Sequence, residues 1–396
     1  MISGIFPDMQ ADSPLSIHRL IVRTALSASN IFAWIFIFVF FFDASGDIAA
    51  SLAHTVLLYA LSQTIACLLT PLTARSLRQG AQRMMVLGVI LLALAMVLLA
   101  ESFRGMFGAG TTLALITVAI AFGIHRALYW VPYETQQHRS HSSTWHSYAE
   151  VLLALIPAFI GFLLVTYRIS ESSLLLAAAG AMLLSIIPLF RMQDSYEGFA
   201  WGYRETFGQL FARPHRQLFF SAFLDGIQGV TLLLLWPLAV FLVVGWSYAL
   251  LGLLFSFSLL VFILLKSTMD RRMVRPSMLD SLPVRIAVVS SSWVGRIFIF
   301  NPLSIIVADS YLHSGRVRNN IDHLTFEQSS DGSHYIDEYT VLREVGLMLG
   351  RMAMCMIFAI SVFSLSISLT FAVVFILAAL SAGISVILSA TMERNI

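Results

Sequence analysis

Three ionisable side chains stand inside long apolar runs of this chain: Asp225, Asp309 and Arg351. A charge deep in hydrocarbon costs several kcal/mol, so each marks a functional position by default. Asp225 lies nine residues beyond Arg216, about 14 Å along a helix. Asp309 is eight residues into its run, about 12 Å from one side of a membrane, and Arg351 ten residues into its own, about 15 Å from the other. All three fall near the midplane of an apolar core about 30 Å thick. The fork of a guanidinium fits a carboxylate or phosphate, which suits Arg351 to holding an anionic solute. Burial raises a carboxyl's affinity for protons, which suits Asp225 or Asp309 to carrying a coupling proton. The alternative is an Arg–Asp pair that neutralises itself and never meets a solute.

Other polar groups share these runs. His54 either titrates or bridges helices through hydrogen bonds. Asn30, Gln63 and Gln228 either bind solute or join neighbouring helices. Arg126, Glu150, Arg318 and Glu344 lie near the ends of their runs. They read as a cytoplasmic gate in which Arg126 pairs with Glu150 and Arg318 with Glu344, since two alternating conformations need breakable pairs. Static pairs at the lipid–water boundary are the other reading. Arg78 and Asp270, in loops on the same side, are assigned to the gate as well. The stretch from His138 through His141 to His146 has histidines at spacings that zinc uses, but no cysteine accompanies them, and a solvated loop is expected. Cys67 and Cys355 sit in apolar runs and read as small core residues. No metal and no cofactor is expected.

The elements that must position these groups follow from composition. Of 396 residues, 58% are hydrophobic and only 12% charged, about half the charge of a soluble domain. Mean hydropathy is +0.83. Such a chain cannot cover itself with polar surface, which excludes a soluble enzyme, a disordered segment, a nucleic-acid binder and a disulfide scaffold. A crossing helix needs about 20 apolar residues. Twelve runs qualify: 20–42, 48–70, 84–103, 108–130, 148–167, 173–190, 216–244, 246–265, 277–297, 301–318, 341–363 and 366–390. The ninth and tenth blur into one another, and Pro302 is the reason to separate them. Residues 1–17 are mixed, and the run from Arg19 and Arg23 to Phe42 is too long for a signal-peptide core. With twelve spans, nineteen of the 24 Lys and Arg residues lie on one side, which makes that side, and both termini, cytoplasmic.

A shift of about 193 residues overlays the first six runs on the last six. Arg104 then falls on Arg296, Arg126 on Arg318, Glu150 on Glu344, and Asn30 near Asp225. Residues 1–190 and 216–396 form the two repeats, with 191–215 as linker. In the linker Asp194 and Glu197 form an N-capping pattern. Phe199, Tyr203, Phe207, Leu210 and Phe211 recur at helical spacing opposite Arg204, Glu205 and Gln209, and Pro214 ends the run. This predicts an amphipathic helix lying on the cytoplasmic leaflet.

Parallel repeats of six helices are one transporter design. The loop between the second and third runs, Thr73 to Arg83, resembles the signature of the major facilitator superfamily at Arg78, Gly80 and Arg83, with Leu77 where the family has Asp. Its counterpart, Asp270 to Arg275, keeps the Asp-Arg pair and has Met273 in place of Gly. The resemblance implies an all-α membrane protein of two six-helix bundles related by a parallel internal repeat. It further implies a monomeric secondary active transporter in a bacterial inner (plasma) membrane. Alternating access would move a small anionic or zwitterionic solute, with a proton gradient as one drive. Its partners would be that small-molecule substrate and the lipid bilayer, with no nucleic acid. The competing functions are a membrane-embedded enzyme and a non-transporting receptor or scaffold. The chain has no Gly-x-Ser-x-Gly, no His-Glu-x-x-His and no nucleotide-binding loop, so an enzyme is not expected.

Overall fold

Backbone N–H and C=O groups find no partner in lipid, so apolar runs of this length are confined to helices or closed barrels. The computed structural model describes residues 14–137, 146–192, 194, 196, 199–272, 281–317 and 336–395, apart from the side chains at 137, 146–152, 154, 265–272, 312–317, 336–337 and 392–395. Every regular element among the described residues is helical. The first repeat holds α1 (Pro14–Ser45), α2 (Ile48–Arg75), α3 (Ala81–Phe103), α4 (Thr111–Gln137), α5 (His146–Thr166), and α6 (Glu171–Leu184) continued by the short α7 (Ile186–Leu189). A linker helix α8 (Tyr203–Gln209) follows. The second repeat holds α9 (Arg216–Val230) and α10 (Trp236–Val243) as one span, then α11 (Tyr248–Arg272), α12 (Leu282–Val294), α13 (Pro302–Val317), α14 (Ile336–Ser364) and α15 (Ile367–Asn395). Among the described residues, eight helices are long and apolar enough to cross a bilayer, with shorter apolar helices at Leu155–Thr166 and Tyr248–Leu264.

Local chemistry explains the boundaries. Asp47 Oδ1 accepts the Ala49 amide at 2.9 Å to cap α2, and Ser170 Oγ accepts the Ser173 amide at 3.2 Å to cap α6. The ninth and tenth spans are separate helices. Pro302 heads α13, the position where a missing N–H costs nothing and φ is already helical. The seventh span has an internal break: residues Thr231–Leu235 form a π turn between α9 and α10. Pro237 has no N–H to offer the carbonyl one turn back, and the backbone widens there.

The two repeats meet along two helix pairs, α2 with α14 and α5 with α11. The second crossing is made close by a reciprocal exchange. A Cβ on Gly161 would strike the Tyr248 carbonyl, and one on Gly252 the Pro157 carbonyl. At one end aromatic rings join the halves: Trp246 lies 5.2 Å from Phe38 and 4.6 Å from Phe42. Tyr248 lies 5.4 Å from Phe36 and donates its hydroxyl to Glu171 at 3.4 Å. At the other end an apolar layer joins them, built from Cys67 and Ala74 of α2, Val131 of α4, Phe219 of α9, and Val341, Leu342, Val345 and Met348 of α14.

The linker differs from expectation. Its helix is only Tyr203–Gln209, Phe199 and Leu210 are buried in that same end layer, and Thr206 is buried as well. Instead of floating on the leaflet, the stretch 199–201 is bonded to both halves. Arg78 Nη2 donates to the Phe199 carbonyl and Arg75 Nε to the Trp201 carbonyl, each at 3.3 Å, while the Ala200 amide donates to Glu338 Oε1 of α14 at 3.0 Å. Asp194 does not cap the linker helix. Its Oδ1 accepts the Gln82 amide at 2.9 Å, at the start of α3. Gly80 adopts φ 111° beside it, and a Cβ there would collide with the Asp194 carboxylate.

Candidate functional site

Arg351 projects from the middle of α14 toward α2 of the other half. Its side chain is buried, 8% exposed, and Nη1 donates to Gln63 Oε1 at 3.3 Å. Gln63 is itself oriented by its neighbour, its Nε2 donating to Ser62 Oγ at 3.1 Å. Arg351 Nε is buried with no hydrogen-bond partner. Among the described residues no carboxylate forms an ion pair with Arg351. Tyr59 of α2 and Cys355 stand within electrostatic reach of the guanidinium, and Tyr59 packs edge-on against Trp34 of α1 at 5.1 Å. Gly229 of α9 faces Arg351 from the third side. One guanidinium therefore collects spans 2, 7 and 11, drawn from both halves.

Neither expected aspartate meets it. Asp309 lies in a buried ion pair with Arg296, Nη2 to Oδ1 2.6 Å, the side chains 2% and 0% exposed. The repeat overlays Arg296 on Arg104, but the two differ. Arg104 forms an exposed pair with Glu101 at 2.8 Å. Arg296 instead sits in a 3₁₀ turn, Gly295–Phe298, that directs it inward between the rings of Trp236 and Trp293, at 4.1 and 4.9 Å. Rings that accept a cation on their faces make this burial tolerable. Asp225 accepts from Ser385 Oγ at 3.0 Å and from Gln228 Nε2 at 3.4 Å, bridging α9 to α15. His54 is exposed at the far end of α2 and stacks on Phe41 at 5.1 Å. Asn30 is half-buried on α1 and makes no side-chain hydrogen bond.

Because Asp309 belongs to a sealed pair, Asp309→Asn should cost about 3–5 kcal/mol of stability by leaving the guanidinium without its carboxylate. Adding Arg296→Met should restore most of it. Thermal unfolding of the purified proteins checks both, and an Asp309→Asn protein as stable as wild type would refute a structural pair.

The described charges nearer the membrane surface pair between the halves. Arg126 is bridged across to the other half. Its Nη2 lies 2.6 Å from Glu344 Oε2 on α14 of the opposite half. A second bridge crosses beside it: Arg343 Nη1 lies 3.1 and 3.2 Å from the two oxygens of Glu134 on α4. The facing ends of α4 and α14 thus each bring one cation and one anion, and the two bridges sit beside the apolar layer that closes this end. Arg318 and the side chains of Glu150 and Asp270 lie outside the described residues, as do residues 138–145 of the histidine-bearing stretch. Arg78 bonds to the linker carbonyl, as above. Glu134 and Arg343 were not singled out from the sequence. The signal available was that each of these two helix ends carries charges of both signs.

No protein-family model matches the chain, and no curated protein matches it in sequence. Solved structures do match its fold. One is that of a bacterial homologue of the human drug peptide transporters PepT1 and PepT2, with 10% sequence identity over 96% of this chain and 97% of that one and a TM-score of 0.62. The fold is that of a major-facilitator-like membrane protein. At this identity the likeness is one of architecture, and it extends over both six-helix halves and the linker.

Proposed function

We propose that this protein is a secondary transporter that moves a small anionic or zwitterionic solute by alternating access, with Arg351 as the residue that holds the anion. The observation carrying this is the buried Arg351 guanidinium with an unbonded Nε and, among the described residues, no carboxylate in direct contact, Glu344 acting on it only at longer range while bonded to Arg126. A permanently charged group in that position needs a compensating anion, and a solute can supply one. The architecture is consistent with it: 1–190 and 216–396 are two units that rock about the midplane, joined by 191–215. Peptides, named for the solved homologue above, are one zwitterionic class that this reading admits.

In the same reading Asp225 is the carboxyl suited to a coupling proton, since Asp309 is tied to Arg296 and His54 is exposed. Gln63 orients Arg351, and Asn30 and Gln228 complete the polar lining. Arg126–Glu344 and Glu134–Arg343 are the cytoplasmic gate, with Arg78 and Glu338 holding the linker across it. Both termini are cytoplasmic, and the lipid is that of a bacterial inner membrane. Reporter fusions after Ile396 check the orientation, where an external signal would reverse it. Uptake of labelled organic anions, amino acids and dipeptides into proteoliposomes, at two pH values, tests the function itself. Uptake that is absent for every class would overturn it.

A further inference from the structure

The stretch from Tyr203 to Phe220 turns one face to the protein and another away from it. On α8, Thr206 and Leu210 are buried. Arg204, Gly208 and Phe211 are exposed, and their spacings of four and three put them on one side of a helical path. Beyond the linker the Arg216 amide donates to the Ala212 carbonyl at 3.0 Å, which carries the helical turn of α9 back over Arg213. Here the exposed residues are Arg213, Arg216, Gln217 and Phe220, again three and four apart and so neighbours on one face.

Phe211 is the ring that the protein does not cover. It is 67% exposed, although Phe199 and Leu210 of the same linker are buried. It lies 5.3 Å from Phe219, which lies 5.4 Å from Phe220. Phe220 is itself exposed, in the opening turns of the apolar helix Arg216–Val243. Phe211 is thus held against the start of a membrane span, where hydrocarbon covers what protein leaves bare. Arg213 is two residues from this ring, and Arg216 one turn before Phe220. Among the described residues neither they nor Arg204 form an ion pair. The carboxylate within 203–220 is that of Glu205, and its Oε2 accepts the Gly202 amide at 2.9 Å. Asp194, further back in the linker, is turned to the Gln82 amide. The face therefore carries three cations that the protein leaves without anions.

We propose that the corner between α8 and α9 binds an anionic phospholipid of the adjoining leaflet. Arg213 and Arg216 hold its phosphate, Arg204 adds charge, and its acyl chains lie against Phe211 and Phe220. Cations at the surface and rings one turn deeper follow the order of a phospholipid, charged head above and hydrocarbon below. Guanidinium is the side-chain cation best matched to phosphate, and a basic segment beside a span attracts anionic headgroups. Phosphatidylcholine brings its own cation and gains less. This site goes beyond the transporter reading and stands without it.

A fluorophore on Gln217→Cys, with Cys67 and Cys355 replaced by alanine, reports on this corner in the full chain reconstituted into phosphatidylcholine vesicles. Quenching by spin-labelled phosphatidylglycerol and by spin-labelled phosphatidylcholine gives their relative affinity there. Each arginine engaged is worth about fivefold, so phosphatidylglycerol should be preferred by about tenfold or more. Raising the salt from about 0.1 M to about 1 M should cut that preference severalfold. Arg213→Gln with Arg216→Gln should bring the two lipids to near equality, and exposed arginines without ion pairs should be removable without loss of folding. Arg83→Gln, at an exposed cation on α3 at the same end, should leave the preference unchanged. Phe211→Ser should weaken both lipids alike. Equal quenching by the two lipids, or a preference that salt does not reduce, would overturn the site without recourse to any variant. A preference lost as fully in Arg83→Gln as in the double variant would also overturn it, by showing general surface charge alone. Relief of the quenching by millimolar glycerol phosphate would assign the corner to a soluble phosphate and overturn the lipid.

Discussion

Arg351→Lys is expected to leave the protein folded and abolish most solute binding. Lysine keeps the charge but offers a point donor where the guanidinium offers a planar pair. Loss of one charge-assisted bond and the geometry of the other is worth about 1.5–3 kcal/mol, roughly ten- to a hundredfold in affinity. Arg351→Ala should fold at least as well as wild type. Among the described residues no carboxylate is ion-paired to Arg351, and Glu344 keeps its bond to Arg126, so removal of Arg351 orphans none of these, and a costly buried charge is relieved. This is the reverse of the outcome for Asp309→Asn, although both residues are charged and buried near the middle of the chain's helices. Uptake in proteoliposomes and thermal unfolding separate the two cases. A stable Arg351→Ala protein with wild-type uptake would remove Arg351 from the solute site and shift attention to Gln63, Asn30 and Gln228.

Glu344→Gln is expected to open the cytoplasmic end. Glu344 bonds Arg126 at 2.6 Å and lies within reach of Arg343 and Arg351 as well, so three cations share it. Truncating one partner of a buried pair costs about 3–5 kcal/mol. In the open state the same groups are hydrated, so the cost falls mainly on the closed state. A loss of about 3 kcal/mol there changes the closed-to-open ratio roughly a hundredfold. The measurement is labelling from the cytoplasmic side of a single cysteine at Val345, in the apolar layer, with Cys67 and Cys355 replaced. Labelling should rise steeply in Glu344→Gln and less in Glu134→Gln, whose bridge is more exposed at 17% and 28%. Reversing the pair as Arg126→Glu with Glu344→Arg should restore protection. Equal labelling in wild type, in Glu344→Gln and in the double Glu134→Gln/Glu344→Gln variant would show the bridges to be static.

Much of the fold was legible because the bilayer imposes it locally. Run length and hydropathy located the spans, and Pro302 separated α12 from α13 because a proline at the first helical turn is a local event. Arg351 was legible as a buried charge for the same reason. Its lack of a carboxylate partner was not, since Asp225 and Asp309 stand at suitable depths by residue count. Depth does not determine which face a residue takes. Asp309 turns to Arg296, and what draws Arg296 inward is a pair of rings, Trp236 sixty residues away and Trp293 three residues away. The bridges between the halves were not legible from the repeat. Sequence symmetry equates Glu150 with Glu344 and suggests that each half closes on itself. The observed bridges run between helices that symmetry does not equate, α4 of one half and α14 of the other.

The linker stretch 199–201 is held mainly through its main chain: two carbonyls and one amide meet Arg75, Arg78 and Glu338. A latch of that kind stores its specificity in atoms that every residue possesses. At position 200 the alphabet should therefore be nearly interchangeable, with one exception. Proline alone lacks the N–H that Glu338 receives, so a saturation library at Ala200 should yield a flat profile broken at a single letter. The corresponding libraries at Arg75, Arg78 and Glu338 should be steep. The text that keeps the two halves together is written on the clasp and not on the strap.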